Sequence, residues 1–434
     1  MKLRAPDNHF SLFYLIVIPV ICAVLSFSPV FAQTTPVDTQ SVFSKYSDRV
    51  IKIQVVEKGS GAKAVIGTGF FVTAQGHIVT NYHVVSKIVH NPDRYRAELV
   101  DSKGEAGPVS VLNIDVIHDL AIVKAEGSSY NYFDLAQDRI KQGIRLYAFG
   151  YPHDIGLSIV EGNYNGYLEH AHYKKIHFTG SLNPGMSGGP TILASGKVVG
   201  INVSSAGNQI SFLVPSGFAA DLLARTLRHD YRPATSFLDS VRAQLLSHQE
   251  SYFPDDIMDS GSSVSLGNYE LPSKIAPFIN CWADANRNEK NLFEVVSHKC
   301  SVDDYIYVSD KQWSGIFQLS HHLITTNELN RFRFYTIYSK YFASHYNLPG
   351  GDEEDVTEYS CETGNVYNDG ITFKTIFCVR RYKKLEGLYD AVFKAAVLGS
   401  NDMGLETTLQ LSGVSFEKAE RLARGYLEAI TWKK

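Results

Sequence analysis

Beyond residue 32 the sequence has no apolar run of 18 residues, so no later segment is long enough to cross a bilayer as a helix. It has no basic excess either: 41 Lys and Arg stand against 45 Asp and Glu, a formal net charge of −4, and no long basic run appears. That balance excludes the electrostatic footprint of a nucleic-acid binder. Cysteine is scarce, five in 434 residues, and none falls in the close CxxC pairs that a structural zinc site needs. Disorder and fibrous repeats are excluded by composition, because 44% hydrophobic and 20% charged residues supply real cores. The length allows about three domains at most.

What is present begins with an address. Lys2 and Arg4 precede an apolar stretch from Phe10 to Phe27 that is interrupted by Pro19, and Val30-Phe31-Ala32 then offers a cleavage site ahead of polar Gln33-Thr34-Thr35. The pattern predicts a cleaved secretory signal over residues 1–32 and an exported mature chain, periplasmic or secreted, with no membrane span. An uncleaved anchor is the competing reading, and the apolar run is near the lower limit for one. Cys22 lies in the leader, whereas Cys281, Cys300, Cys361 and Cys378 all lie in the C-terminal half. Four cysteines permit three connectivities. The local pairing, Cys281–Cys300 and Cys361–Cys378, closes loops with 18 and 16 residues between the partners. In an oxidising compartment each bridge adds about 3 kcal/mol on the chain-entropy model.

From Val50 to about Pro215 the pattern is β. Short β-branched or aromatic segments, such as Val50-Ile51-Lys52-Ile53-Gln54-Val55-Val56 and Phe70-Phe71-Val72, alternate with glycine-bearing turns. Such spacing points to antiparallel barrels or sandwiches. A helical pattern runs from Pro215 through Phe218, Leu222, Leu223 and Leu227. A second opens at Ser236, with Asp239 in its first turn, and carries Phe237, Val241, Leu245 and Leu246. Pro254 to Ser265 is polar and rich in Gly and Ser, as linkers are. The remainder, 266–434, reads as an α+β unit built on the two cysteine pairs, a candidate duplicated module. Asn368-Asp369-Gly370 predicts a tight hairpin inside the second pair. A last helix is expected from Ser415, burying Phe416, Ala419, Leu422, Ala423, Tyr426, Leu427 and Ile430.

Three segments carry chemistry: Thr80-Asn81-Tyr82-His83-Val84-Val85, His118-Asp119-Leu120-Ala121-Ile122-Val123 and Asn183-Pro184-Gly185-Met186-Ser187-Gly188-Gly189-Pro190. A serine hydroxyl is a weak nucleophile at neutral pH and needs a base within hydrogen-bond reach. Imidazole suits that role because it takes and returns a proton near pH 6.5. A carboxylate on its other nitrogen fixes the tautomer. Glycines beside the serine let backbone N–H groups converge where an oxyanion would sit, each such donor being worth roughly 3 kcal/mol of barrier.

With Gly67-Thr68-Gly69-Phe70-Phe71 upstream and Gly196-Lys197-Val198-Val199-Gly200-Ile201-Asn202 leading into Ser211-Phe212-Leu213-Val214-Pro215-Ser216 downstream, these segments resemble the trypsin-like serine peptidases of the HtrA (Deg) type over about residues 40–230. The resemblance implies two six-stranded antiparallel β-barrels in residues 33–232; beyond its reach, the residue patterns themselves place a helix and linker over 233–265 and the disulfide-stapled α+β domain over 266–434. The resemblance also implies His83 as general base, Asp119 as its orienter and Ser187 as nucleophile, with the N–H groups of Gly185 and Ser187 as the oxyanion hole. Asp115, four residues before Asp119, is the rival carboxylate. By the family's layout Ser181 lies near the base of the primary pocket, while Val203, Ser204 and Ser205 border the substrate strand. No carboxylate stands there, which argues against a Lys/Arg preference and for small or aliphatic residues.

The implied function is an exported endopeptidase acting on polypeptides through an acyl-enzyme, with no metal or other cofactor and a C-terminal domain that binds substrate or partner. The sequence is silent on oligomeric state. The alternative is a protease-like scaffold serving adhesion or binding. Gly185-Met186-Ser187-Gly188-Gly189 also fits the nucleophile elbow of α/β-hydrolases, but that elbow needs a helix after the serine and a histidine later in the chain. Two departures from the family stand out. Met186 occupies the place of the zymogen-activating aspartate, and no PDZ-type carboxylate loop follows residue 230.

Overall fold

Alternation of β-branched and polar residues in Val50–Glu57 buries Val50, Ile51, Ile53, Val55 and Val56 and makes this segment the first of twelve strands. The computed structural model describes residues 38–136, 140–232, 236–254, 256–258, 261–286, 292–344 and 351–433. The leader expected over residues 1–32 lies outside them. Strands β1 (Val50–Glu57), β2 (Lys63–Phe71), β3 (His77–Thr80), β4 (Tyr95–Val100), β5 (Ala106–Asp115) and β6 (Leu120–Ala125) close a barrel in the order β1-β2-β3-β6-β5-β4. Strands β7 (Arg145–Gly150), β8 (Ser158–Tyr167), β9 (Ile176–Phe178), β10 (Pro190–Ile192), β11 (Val198–Gly207) and β12 (Ile210–Pro215) close a second barrel with the same connectivity. These are the two six-stranded antiparallel barrels expected. Phe70, Val79, Leu120 and Ile122 of the first barrel share one core with Tyr147, Phe149, Ile192 and Ile201 of the second. Helix α1 (Thr39–Tyr46) adds Val42 and Tyr46 to that seam, and helix α2 (Tyr82–His90) leaves β3 directly.

Helices α3 (Ser216–Leu227) and α4 (Phe237–Tyr252) occupy the expected stretches. Ser236 caps α4, its Oγ accepting from Asp239 N at 3.4 Å. Leu227, expected on the buried face of α3, is exposed, and Thr226 is buried in its stead. The Thr226 hydroxyl donates to Leu222 O at 2.8 Å and accepts from Asn113 Nδ2 at 3.1 Å, and these bonds satisfy it in the interior.

Helix α4 is bonded on both sides. Gln244 accepts from Val116 N at 2.9 Å on the first barrel, and Gln249 accepts from Ser415 N at 2.7 Å in the C-terminal part. Val241 and Leu245 join the core of the first barrel, and Tyr252 and Phe253 join the C-terminal core. Ile257 and Met258, within the expected linker, are buried in that same core.

The C-terminal part holds strands and helices around one seven-stranded antiparallel sheet. Its strands are β15 (Ile279–Asn286), β16 (Glu294–Val302), β19 (Phe317–Thr325), β20 (Ser360–Asn368), β21 (Ile371–Arg381), β22 (Tyr389–Val397) and β23 (Met403–Val414), in the order β15-β16-β19-β23-β22-β21-β20. Strands β13 (Ser263–Leu266), β14 (Tyr269–Pro272) and β24 (Thr431–Trp432) form a small sheet, and β17 (Ile306–Ser309) with β18 (Gln312–Ser314) forms a two-stranded hairpin. Cys281 and Cys300 sit directly opposite each other in β15 and β16, as do Cys361 and Cys378 in β20 and β21, with both sulfur pairs at bonding distance. The two stapled hairpins thus occupy opposite edges of one sheet. Asp369 (φ +47°) and Gly370 (φ +82°) make the two-residue turn between β20 and β21.

Helix α5 (Arg331–Ser344) sets Phe334 and Tyr338 on Ile324 and Ala396 at one face of the sheet, and α6 (Phe416–Glu428) sets Leu422 and Tyr426 against the other. Ser415 caps α6 through Lys418 N at 3.2 Å, and Ala419, Leu422, Ala423, Tyr426 and Leu427 are buried as expected. Phe416, expected inside, is 40% exposed and lies edge-on to Phe377 and Tyr389. As the first helical residue it precedes the stripe that faces the sheet. Among the described residues no helix is long and apolar enough to cross a membrane.

Candidate active site

The first turn of α2 presents His83 beside the β5–β6 turn, where Asp119 holds φ +55°. Aspartate tolerates this left-handed region better than most residues. The conformation lets one residue serve α2 four times. The Asp119 carbonyl accepts from Asn81 Nδ2 at 2.7 Å and from Tyr82 N at 3.2 Å. Its carboxylate meets His83 N at 2.8 Å with Oδ1 and His83 Nδ1 at 2.6 Å with Oδ2. A carboxylate only accepts, so Nδ1 carries the proton and Nε2 keeps its lone pair in the neutral ring. A negative group at a helix start is also favoured by the helix dipole. Burial presses the imidazole toward neutrality, but the charge and hydrogen bond of Asp119 and the charge of Asp310 outweigh it, raising its pKa above 6.5.

Asp115 is engaged elsewhere. Its Oδ1 accepts from His118 N at 3.0 Å, its Oδ2 meets His118 Nδ1 at 3.0 Å, and Arg225 Nη2 lies 3.6 Å away. Burial raises its pKa, but the bonds and charge of His118 and the charge of Arg225 win and hold it low.

Ser187 lies in the loop before β10. Gly185 (φ +95°) and Gly188 (φ +83°) flank it, and a Cβ at either would fall 2.3 Å from the oxygen of Tyr151 or Thr68. Only glycine fits both places. Met186 N, Gly188 N and Gly189 N donate to Asn183 O, Asn202 O and Met186 O, whereas among the described residues the N–H groups of Gly185 and Ser187 have no acceptor. Ser187 Oγ donates to Val203 O at 3.4 Å, a long bond, and makes none to His83. Met186, in the place of the zymogen aspartate, is fully buried in the second barrel's core.

A cavity of about 330 Å³ is lined by Ser187, Leu182, Asn183 and Pro184 on one side and Val203, Ser204 and Ser205 on the other, with no charged side chain. Ser181 is exposed and does not line it. Leu182 takes the inward place, its N–H donating to Ser211 Oγ at 3.2 Å, and chain alternation turns Ser181 outward.

Sequence reasoning missed Thr68, which ties the serine loop to the first barrel. Thr68 N donates to Ser187 O at 2.8 Å, and Thr68 Oγ1 donates to Gly185 O at 2.7 Å and accepts from Tyr151 N at 3.0 Å. Its place in Gly67-Thr68-Gly69 was visible; its contacts, 117 residues away in sequence for Gly185, were not. Among the described residues Cys281, His298 and Cys300 form a cluster compact enough for a metal ion, but the two cysteines are bonded to each other and offer no thiolate.

Residues 67–201 match the trypsin-like peptidase domain. The chain is 31% identical over 183 residues to "Probable periplasmic serine endoprotease DegP-like" of Chlamydia pneumoniae, covering 40% of this chain and 36% of that protein. It is 31% identical over 176 residues to the protein of the same name from Rhizobium meliloti, covering 36% and 32%. The match thus spans about a third of those relatives' length. The crystal structure of the serine endoprotease from Yersinia pestis overlays 45% of this chain and 68% of its own at 22% identity and a TM-score of 0.39.

Proposed function

We propose, from the premise that residues 67–201 are a trypsin-like serine peptidase domain of the HtrA/Deg type, that the protein is an exported endopeptidase hydrolysing peptide bonds through a Ser187–His83–Asp119 triad. The observation that carries this reading is the double grip of the Asp119 carboxylate on His83, which leaves Nε2 free to act as base. Residues 33–232 are the peptidase domain, and 266–434 bind substrate or partner.

An extended substrate adds as a strand along Val203–Ser205, where the pairing of β11 with β10 has ended at Ile201. Its N–H takes Val203 O. The Ser187 hydroxyl gives up its 3.4 Å bond there at little cost and turns to His83 Nε2. His83 removes the proton as Oγ attacks the carbonyl carbon, and the oxyanion is held by the unused N–H groups of Gly185 and Ser187. The imidazolium, stabilised by Asp119, then protonates the departing amine. Water deacylates the enzyme by the same route in reverse. The uncharged lining of the primary pocket favours small or aliphatic side chains. Export to the periplasm is supported by the leader pattern and by the relatives' names.

A fluorophosphonate probe is expected to label the protein at Ser187 alone. A protease-like scaffold would not label. Because the base must be neutral and its pKa is raised, kcat/KM should climb with pH through a midpoint above about 6.5. A midpoint well below that value would contradict the Asp119–His83 pairing as the controlling one.

A further inference from the structure

We propose that the β17–β18 hairpin, outside the peptidase segment, completes a second substrate subsite beside His83, with Tyr305 and Tyr307 selecting an uncharged apolar or aromatic side chain. This rests on the peptidase reading above. The hairpin is seated on α2 by specific bonds. Tyr82 Oη donates to Val308 O at 2.9 Å, and His90 Nε2 meets the same carbonyl at 2.9 Å. Ser86 Oγ lies 3.2 Å from Tyr307 Oη, and Lys87 pairs with Asp310. Ile306 and Val308 are buried in the first barrel's core. Tyr307 is fixed in turn, donating to Asp310 Oδ1 at 2.6 Å, and its ring stands edge-on to the His83 imidazole with centroids 5.8 Å apart.

The seated hairpin encloses a cavity of about 210 Å³ against the two barrels. Val116, Ile117 and Asp119 line it from the first barrel, Val203 and Ser204 from the second, Tyr307 from the hairpin, and Tyr305 from the position just before β17. Engineered apolar cavities of about 150 Å³ admit benzene, so this one has room for a leucine or phenylalanine side chain. Its charged groups are largely spoken for. Lys175 donates to Asp304 at 2.5 Å, Asp119 holds His83, and His118 is held by Asp115. Lys174 is exposed at the rim, over the Tyr167 ring.

This cavity and the one beside Ser187 share Val203 and Ser204. Successive side chains of an extended strand point to opposite faces. A peptide that puts its acyl residue beside Ser187 therefore puts the preceding residue here.

The test is a library of fluorogenic peptides varied at the residue preceding the acyl residue, run on the full chain and on Tyr305→Ala. Tyr305 is 53% exposed, so its replacement leaves the fold standing, which thermal melting checks. The wild type should prefer Leu or Phe to Gly there, and Tyr305→Ala should shrink that ratio about tenfold, with the loss in KM, the scale of a lost hydrophobic pocket contact. Tyr307→Phe, which keeps the ring, should retain most of the preference. An unchanged ratio in Tyr305→Ala, no preference in the wild type, or a preference for Asp or Glu would overturn the subsite. Fluorophosphonate labelling run alongside separates the two failures. Labelling and cleavage without the preference remove the subsite alone, and absence of both removes the peptidase reading with it.

Discussion

Ser187→Ala is expected to abolish peptide-bond cleavage and fluorophosphonate labelling together, with the thermal midpoint nearly unchanged. The hydroxyl makes one long bond, to Val203 O at 3.4 Å, so deleting it costs little stability. What ties the loop to the first barrel is backbone and Thr68: Ser187 O accepts from Thr68 N at 2.8 Å whatever the side chain. The chemical loss is the whole nucleophile. In the subtilisin triad such a deletion costs about six decades in kcat, and residual rate comes from the oxyanion donors and binding. His83→Ala should lose about as much, and the double variant scarcely more, because the residues act as a unit. Full proteolysis by Ser187→Ala would remove the assigned reaction class.

Asp119→Asn should cost roughly four decades in rate, the value known for this change in the trypsin-type template. Asparagine can hold the left-handed backbone at this position, so the turn survives. The amide still accepts with one atom but donates with the other. Facing both His83 N and His83 Nδ1, it satisfies one and invites the wrong tautomer at the other. Asp115→Asn is the control. It weakens pairing with His118 and Arg225 and should reduce stability rather than kcat. Because the native-state pKa of Asp115 is lowered, its stabilisation is present above the unfolded value near 3.8 and is lost as the pH falls through the native one. Crippled turnover in Asp115→Asn with mild loss in Asp119→Asn would reverse the assignment.

The candidate residues of the site were legible because each sits in a local pattern: His83 behind a strand and at a helix start, Asp119 directly before Leu120–Val123, Ser187 among glycines. The strands were legible as alternating segments between turns, the two barrels only through the resemblance, and the second stapled hairpin as a cysteine pair bracketing Asn368-Asp369-Gly370. Long-range closure was not. Nothing in residues 304–310 announces that Val308 O will serve Tyr82 across 226 positions or that Tyr307 will face His83. These partners are a backbone carbonyl and a ring edge, and neither imposes a period on the sequence. Ser181 and Leu227 illustrate a smaller blind spot. Both lie one position off an inward-facing residue, Leu182 and Thr226, and the pattern that gives a stripe does not give its phase at the ends.

The bond from Tyr82 to Val308 also fixes an order of emergence. In any N-to-C delivery of the chain, 226 positions separate the helix bearing His83 from the strand that covers it. During that interval both barrels can be complete, since the last barrel strand ends at Pro215. Yet the buried Tyr82 hydroxyl has no Val308 carbonyl to bond, and the imidazole edge has no Tyr307 beside it. A chain interrupted anywhere between the end of the second barrel and residue 305 therefore carries all three side chains of the proposed triad in an unfinished setting. Maturation of the site is tied to the making of a part of the protein that contributes none of them.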